Sequence, residues 1–114
     1  MLGCANTFFS QMDSLLNAQY KKLRSNCDSV QKLNLKDDQL KWLDVREKQF
    51  KFNKYQVHKE AKENGYNGGQ DETMILTDKN ATFVKDRVIE LIKKTPDNYS
   101  AGKYKSKIYK VSAK

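Results

Sequence analysis

Trp42-Leu43-Asp44-Val45-Arg46-Glu47 lies in the middle of a long charged run, followed about twenty residues later by Gly68-Gly69 and then by Arg87-Val88-Ile89-Glu90-Leu91. Around the first of these segments, Leu35, Leu40, Leu43, Arg46, Phe50, Val57 and Ala61 recur at largely helical spacing. The spacing predicts one long helix from about residue 32 to about Glu63, starting between Asp28 and Asn34, either of which suits an N-cap. Trp42, Val45 and Phe52 widen its apolar face, so the helix is expected to touch two neighbours.

Working outward, Met12, Leu15, Leu16, Gln19, Tyr20 and Leu23 predict a first amphipathic helix, closed by Asn26-Cys27-Asp28-Ser29. On the other side, Asn64-Gly65-Tyr66-Asn67-Gly68-Gly69 is a breaker cluster in which three glycines and two asparagines accept positive φ, so the chain reverses there. Asp71 can cap a third helix whose stripe, Thr77, Ala81, Val84, Val88 and Leu91, ends before Thr95-Pro96. The fold class is therefore all-α: three antiparallel helices (about 7–25, 32–63 and 72–94) with a basic C-terminal tail and no internal repeat. Residues 1–6 form an N-terminal segment, 7–96 the helical domain and 97–114 the tail.

Composition agrees with one domain and one core. The 114 residues are 38% apolar and 32% charged, with one Pro and five Gly, which is too apolar for a disordered chain yet charged enough for solvated helices. No stretch approaches the roughly 20 apolar residues of a membrane span. The net charge of +8 is unevenly placed: from Lys103 onward there are five lysines and no acid, which leaves +3 for residues 1–102. In the central helix, Asp37/Lys41, Asp44/Lys48 and Glu47/Lys51 are i,i+4 pairs with the acid first, a solvated face needing no ligand. In the tail, Lys103, Tyr104, Lys105, Lys107, Tyr109 and Lys110 interleave cations with aromatics at strand-like period. That set suits phosphate contacts and base stacking, although a solubilising irregular arm or short strand is the simpler reading.

Catalytic signals are sparse. His58, the single histidine, sits among Lys54, Lys59 and Glu60 as a surface residue would, and Asp37-Asp38 and Asp71-Glu72 fall near helix starts, where capping explains them. Neither GxxxxGK[ST] nor GxGxxG occurs, so Gly68-Gly69 reads as a turn rather than a phosphate loop. Two cysteines and one histidine cannot build an ordinary structural zinc site. We therefore expect no enzymatic activity, cofactor or metal. Met1-Leu2-Gly3-Cys4 looks like the end of a bacterial lipoprotein signal without its apolar region, making Cys4 either a lipid-anchor candidate or an ordinary cysteine. If residues 5–25 are one straight helix, Cys4 and Cys27 are some 30 Å apart and cannot pair unless a terminus folds back.

Leu16-Asn17-Ala18-Gln19-Tyr20-Lys21-Lys22-Leu23, Gln39-Leu40-Lys41-Trp42-Leu43-Asp44-Val45-Arg46-Glu47, Gly68-Gly69 and Arg87-Val88-Ile89-Glu90-Leu91, in that order over roughly residues 12 to 92, resemble the successive motifs of the LprI-type lysozyme-inhibitor domain. The resemblance implies a small helical protein of the bacterial cell envelope, periplasmic or lipid-anchored, that binds a protein partner, lysozyme or another muramidase. The chain departs from the pattern in having Glu47 where members have Asp, Phe50 where they have Cys, and Val84 where they have Thr. The family's usual disulfide thus lacks a cysteine here. An inhibitor of a basic enzyme would ordinarily be acidic, so the net +8 is a further departure.

Within the motifs, Trp42 and Arg46 stand at i,i+4, and Arg87 of the third helix can reach the same layer with Glu47 as counter-ion. These four residues are either a partner-binding hot spot or a structural clasp. The clasp is preferred because both arginines lie on or beside the apolar stripes. The expected function is non-enzymatic protein binding in the envelope. The alternative is a basic module holding anionic polymer (teichoic acid, lipid headgroups or, less favoured, nucleic acid) through the tail.

Overall fold

The computed structural model describes residues 2–65, 70–106 and 109–111, with side chains for 6–65, 72–106 and 109–111. Gly68, Gly69, Lys107, the side chain of Cys4 and the capping role of Asp71 lie outside the described residues.

Three helices account for most of the chain: α1 Leu2–Ser25, α2 Ser29–Glu63 and α3 Gln70–Lys93. α1 begins at Leu2 rather than near residue 7, since no proline interrupts the first turns. α2 begins at Ser29 because Asp28 is its N-cap: Asp28 Oδ1 accepts from Gln31 N and Gln31 Oε1 accepts from Asp28 N, both at 2.8 Å. That reciprocal box satisfies two backbone donors, which a start at Asn34 would not. Asn34 is used elsewhere, donating to the Tyr99 carbonyl at 2.8 Å.

Contacts along the helices give their directions. Phe9 meets Phe50 and Asp13 meets Arg46, so α1 and α2 run antiparallel; Asp38 meets Arg87 and Asn53 meets Asn80, so α3 runs antiparallel to α2 and parallel to α1. α3 lies closest to α1, its buried face being narrow (Ala81, Val84, Val88), whereas the larger Trp42 and Gln49 of α2 keep that helix further out. The result is a rod of 53 × 26 × 16 Å, as long as α2.

The buried stripe of α2 is Leu35, Asp38, Trp42, Val45, Gln49, Asn53, Val57 and Ala61. This corrects the sequence register at Leu40, which is 55% exposed on the back of the helix; Leu43 and Phe50, half-buried, pack against the core from its margin. Leu15 of α1 is likewise 45% exposed. The observed stripe keeps a steady step of three or four residues through both Trp42 and Val45, and it accepts three polar residues in order to do so. Two of them are joined: Gln49 donates to Asn53 at 2.9 Å, and Asn53 to Asn80 of α3 at 3.0 Å. Paired in this way they avoid the cost of unsatisfied burial.

After α3 the chain makes one 3-10 turn, Pro96–Tyr99, with Thr95 as its cap. It reverses at Gly102, whose φ of +85° is left-handed, so the following residues return toward α2. Neither a strand nor a free arm is found among residues 103–106 and 109–111.

Candidate functional site

Trp42 is 3% exposed and stacks face to face on Phe83 of α3, with centroids 5.6 Å apart and planes 8° apart. Phe83 meets the edge of Phe50 at 6.3 Å, and Phe50 meets Phe9 of α1 at 6.0 Å, so an aromatic row crosses all three helices. Phe50 thus fills with ring packing the place where a cysteine was expected from the motif. Val84, in place of the expected threonine, is fully buried in the same core.

Both arginines lie against Trp42. The Arg87 Cζ is 5.6 Å and the Arg46 Cζ 5.8 Å from the indole centroid, and Arg46 is also 5.8 Å from Phe50. Their surroundings differ. Arg87 is 1% exposed and uses every arm of its guanidinium: Nη2 to Asp38 Oδ2 at 3.0 Å, Nη2 and Nε to Gln39 Oε1 at 2.8 and 3.2 Å, Nη1 to Glu90 at 2.6 Å and to the Tyr109 hydroxyl at 2.8 Å. Arg46 is a quarter exposed and, among the described residues, has as acidic partners only Glu47 at 3.4 Å and Asp13 at 4.0 Å. The counter-ions of Arg87 are therefore Asp38 and Glu90. Glu47, expected in that role, projects outward and serves Arg46 instead, because neighbouring positions on a helix diverge by about 100°.

The tail completes this layer. Tyr99 and Tyr109 donate to the two oxygens of Asp38 at 3.1 and 2.7 Å, and Tyr104 donates to Asp37 at 2.6 Å. Lys41 bonds Asp37 at 3.1 Å and also donates to Ser106. Burial, with the adjoining carboxylates, pushes the phenols of Tyr99, Tyr104 and Tyr109 far above their ordinary range. Asp37 is held below the usual carboxylate range, first by the Tyr104 hydroxyl and then by Lys41. Burial works against the charge of Arg87, but Asp38 and Glu90 outweigh it and the net shift is upward. The tail is irregular, as one of the two expectations had it, but it is not a free arm: Tyr104 and Tyr109 are bonded to Asp37 and Asp38 of α2, while Lys103 pairs with Asp97 at 2.6 Å and Lys105 and Lys110 stay exposed. Sequence reading missed Asp38, Gln39 and Tyr99. A buried arginine needs a buried acid, and the α2 register carrying Trp42 already pointed to Asp38.

The remaining candidates are dispersed. His58 Nδ1 meets Glu72 at 3.0 Å, tying α2 to the start of α3. Cys27 is a buried free thiol, donating to the Leu23 carbonyl and raised in pKa by burial and then by Asp28. Among the described residues, no group of three or more His, Cys, Asp or Glu gathers to hold a metal ion.

Charge is segregated along the rod. Residues 20–41 and 85–111, which make the end where α1 finishes, α2 starts and the tail folds back, carry thirteen Lys or Arg against six Asp or Glu among the described residues. Residues 1–19 and 42–84, the other end, carry seven against eight. In the latter half a shallow, open hollow of about 640 Å³ runs along α1 from Asn6 to Leu15, and its lining among the described residues carries no charge.

The architecture is that of a small three-helix domain with a tryptophan between two arginines. A family model for the lysozyme inhibitor LprI matches residues 1–91, and the chain belongs to that family. No curated protein and no solved structure matches it. Tyr99, Tyr104 and Tyr109, which close the Arg87 layer, fall beyond the matched stretch.

Proposed function

We propose that this protein is a non-enzymatic binding domain of the bacterial cell envelope that inhibits a lysozyme-type muramidase. The family match over residues 1–91 carries the reading. The Trp42–Arg87 layer is a clasp in this proposal, since a contact buried to this degree has little surface to offer a partner. The enzyme instead meets the near-neutral half of the rod, at the shallow hollow beside Leu15. A basic muramidase is repelled chiefly by the opposite end, so the net +8 does not bar approach from this side.

The test is clearance of a cell-wall suspension by an animal-type lysozyme, with and without the pure protein, alongside calorimetric titration. Inhibition that is lost in Leu15→Glu and kept in Lys93→Gln, both with unchanged melting, supports the proposal. Absence of both inhibition and complex formation at micromolar concentrations rejects it.

A further inference from the structure

We propose that the basic end of the rod docks tip-first onto a lipid surface bearing anionic headgroups. Two separate observations meet there. The first is the positive excess, which the fold itself does not require. Lys32 and Lys36 stand in the first two turns of α2, the end of a helix where the dipole favours carboxylates, and no acid occupies that first turn. Lys22, Arg24, Lys93 and Lys94 have no carboxylate within ion-pair distance among the described residues.

The second observation is apolar. Leu33 is 68% exposed, Ile92 58% and Val30 46%, all at this same end, where α2 starts and α3 finishes. Cations interspersed with outward aliphatic side chains suit a headgroup interface, in which lysines meet phosphate while the aliphatics reach the acyl boundary. A soluble polyanion would use the lysines and leave Leu33 and Ile92 without a role. An acidic protein patch would likewise answer the lysines and leave Leu33 and Ile92 unmatched, whereas a lipid surface takes both. The six acids in this region do not cancel its thirteen cations: Asp38 and Glu90 are bound to Arg87, Asp37 to Lys41 and Asp97 to Lys103, and only the Asp28 cap and Asp86 remain against the other lysines and arginines.

The proposal stands apart from the muramidase reading, and its test contains no enzyme. Full-length protein is sedimented with vesicles of phosphatidylcholine alone, with vesicles also containing phosphatidylglycerol, and, in parallel, titrated with soluble polyphosphate. We expect binding to the anionic vesicles only, abolished at about 0.5 M salt. It should fall about tenfold in Lys32→Gln/Lys36→Gln/Lys93→Gln and about tenfold in Leu33→Ser/Ile92→Ser. Lys51→Gln/Lys54→Gln/Lys59→Gln, at the other end, should bind within twofold of the parent. All these positions except Lys32 are exposed, and melting curves confirm that each variant is folded. Equal binding to both vesicle types, an undiminished Leu33→Ser/Ile92→Ser variant, or an equal loss in the Lys51/Lys54/Lys59 control overturns the proposal. Polyphosphate binding together with vesicle binding that ignores the aliphatic pair would make the end a soluble-polyanion site and also overturns it.

Discussion

Tyr109 and Asp38 are 71 residues apart in sequence, yet the Tyr109 hydroxyl donates to Asp38 Oδ1 at 2.7 Å. Tyr104 and Tyr109 thus form a wall of the α2/α3 layer. Truncation after Gly102 removes Tyr104 and Tyr109 together, leaving Asp38 with fewer donors in a buried place, and should cost about 2–4 kcal/mol. Tyr109→Phe alone should cost about 1–3 kcal/mol. Urea unfolding of both measures it; a truncated protein as stable as the parent would restore the view of the tail as a free arm.

The two arginines beside Trp42 should respond very differently to removal. Arg87→Ala leaves Asp38 as an uncompensated buried charge and should cost about 3–5 kcal/mol. Arg46→Ala loses ring contacts and two weak, partly solvated pairs, and should cost about 1 kcal/mol or less. Thermal melts of the two variants side by side give the comparison.

Alkali should unfold the domain early. The phenols of Tyr99, Tyr104 and Tyr109 hold their protons more tightly in the folded chain than the ~10 of a free tyrosine. Above about pH 10 the unfolded state therefore releases protons that the folded state keeps, and stability falls as pH rises. This contribution is fully present below about pH 10. Tyrosinate absorbance should rise in two phases, the second coinciding with loss of helical circular dichroism. Asp37 acts in the opposite direction: its lowered pKa contributes stability above about pH 4 that is lost as pH falls below it.

Gly102 offers a test confined to the backbone. A methyl group added there meets nothing within 4 Å, so Gly102→Ala brings no clash and only the strain of a left-handed φ, about 1–2 kcal/mol. The loss should disappear in the truncated protein, where the turn has nothing left to deliver.

Core register is tested by Val88→Ala against Leu40→Ser. Val88 is 5% exposed and its truncation should cost about 1–3 kcal/mol, whereas Leu40, facing solvent, should change stability by less than about 0.5 kcal/mol. The reverse order would return Leu40 to the core.

The helices and their reversals were legible because spacing, breakers and the Asp28 cap are local signals. So was the convergence of Trp42, Arg46 and Arg87, since i,i+4 geometry and the two stripes constrain it. What stayed hidden was non-local. A stripe drawn through apolar residues alone passes over Asp38, Gln49 and Asn53, whose burial depends on partners from α3 and the tail. The tail misled for the same reason: alternating Lys and Tyr reads as mobile and basic until Asp37 and Asp38 are known to lie together opposite the phenols.

The place of Tyr109 near the C-terminus also bears on the order in which the domain can be completed. During synthesis α1, α2 and α3 emerge first, and their local hydrogen bonds and apolar faces can form at once. Asp38 and Arg87 then face each other across a layer still open to water. Only when the segment after Gly102 leaves the ribosome do the Tyr104 and Tyr109 hydroxyls arrive to seal it. Arrival of the segment after Gly102 is thus the event that locks the fold.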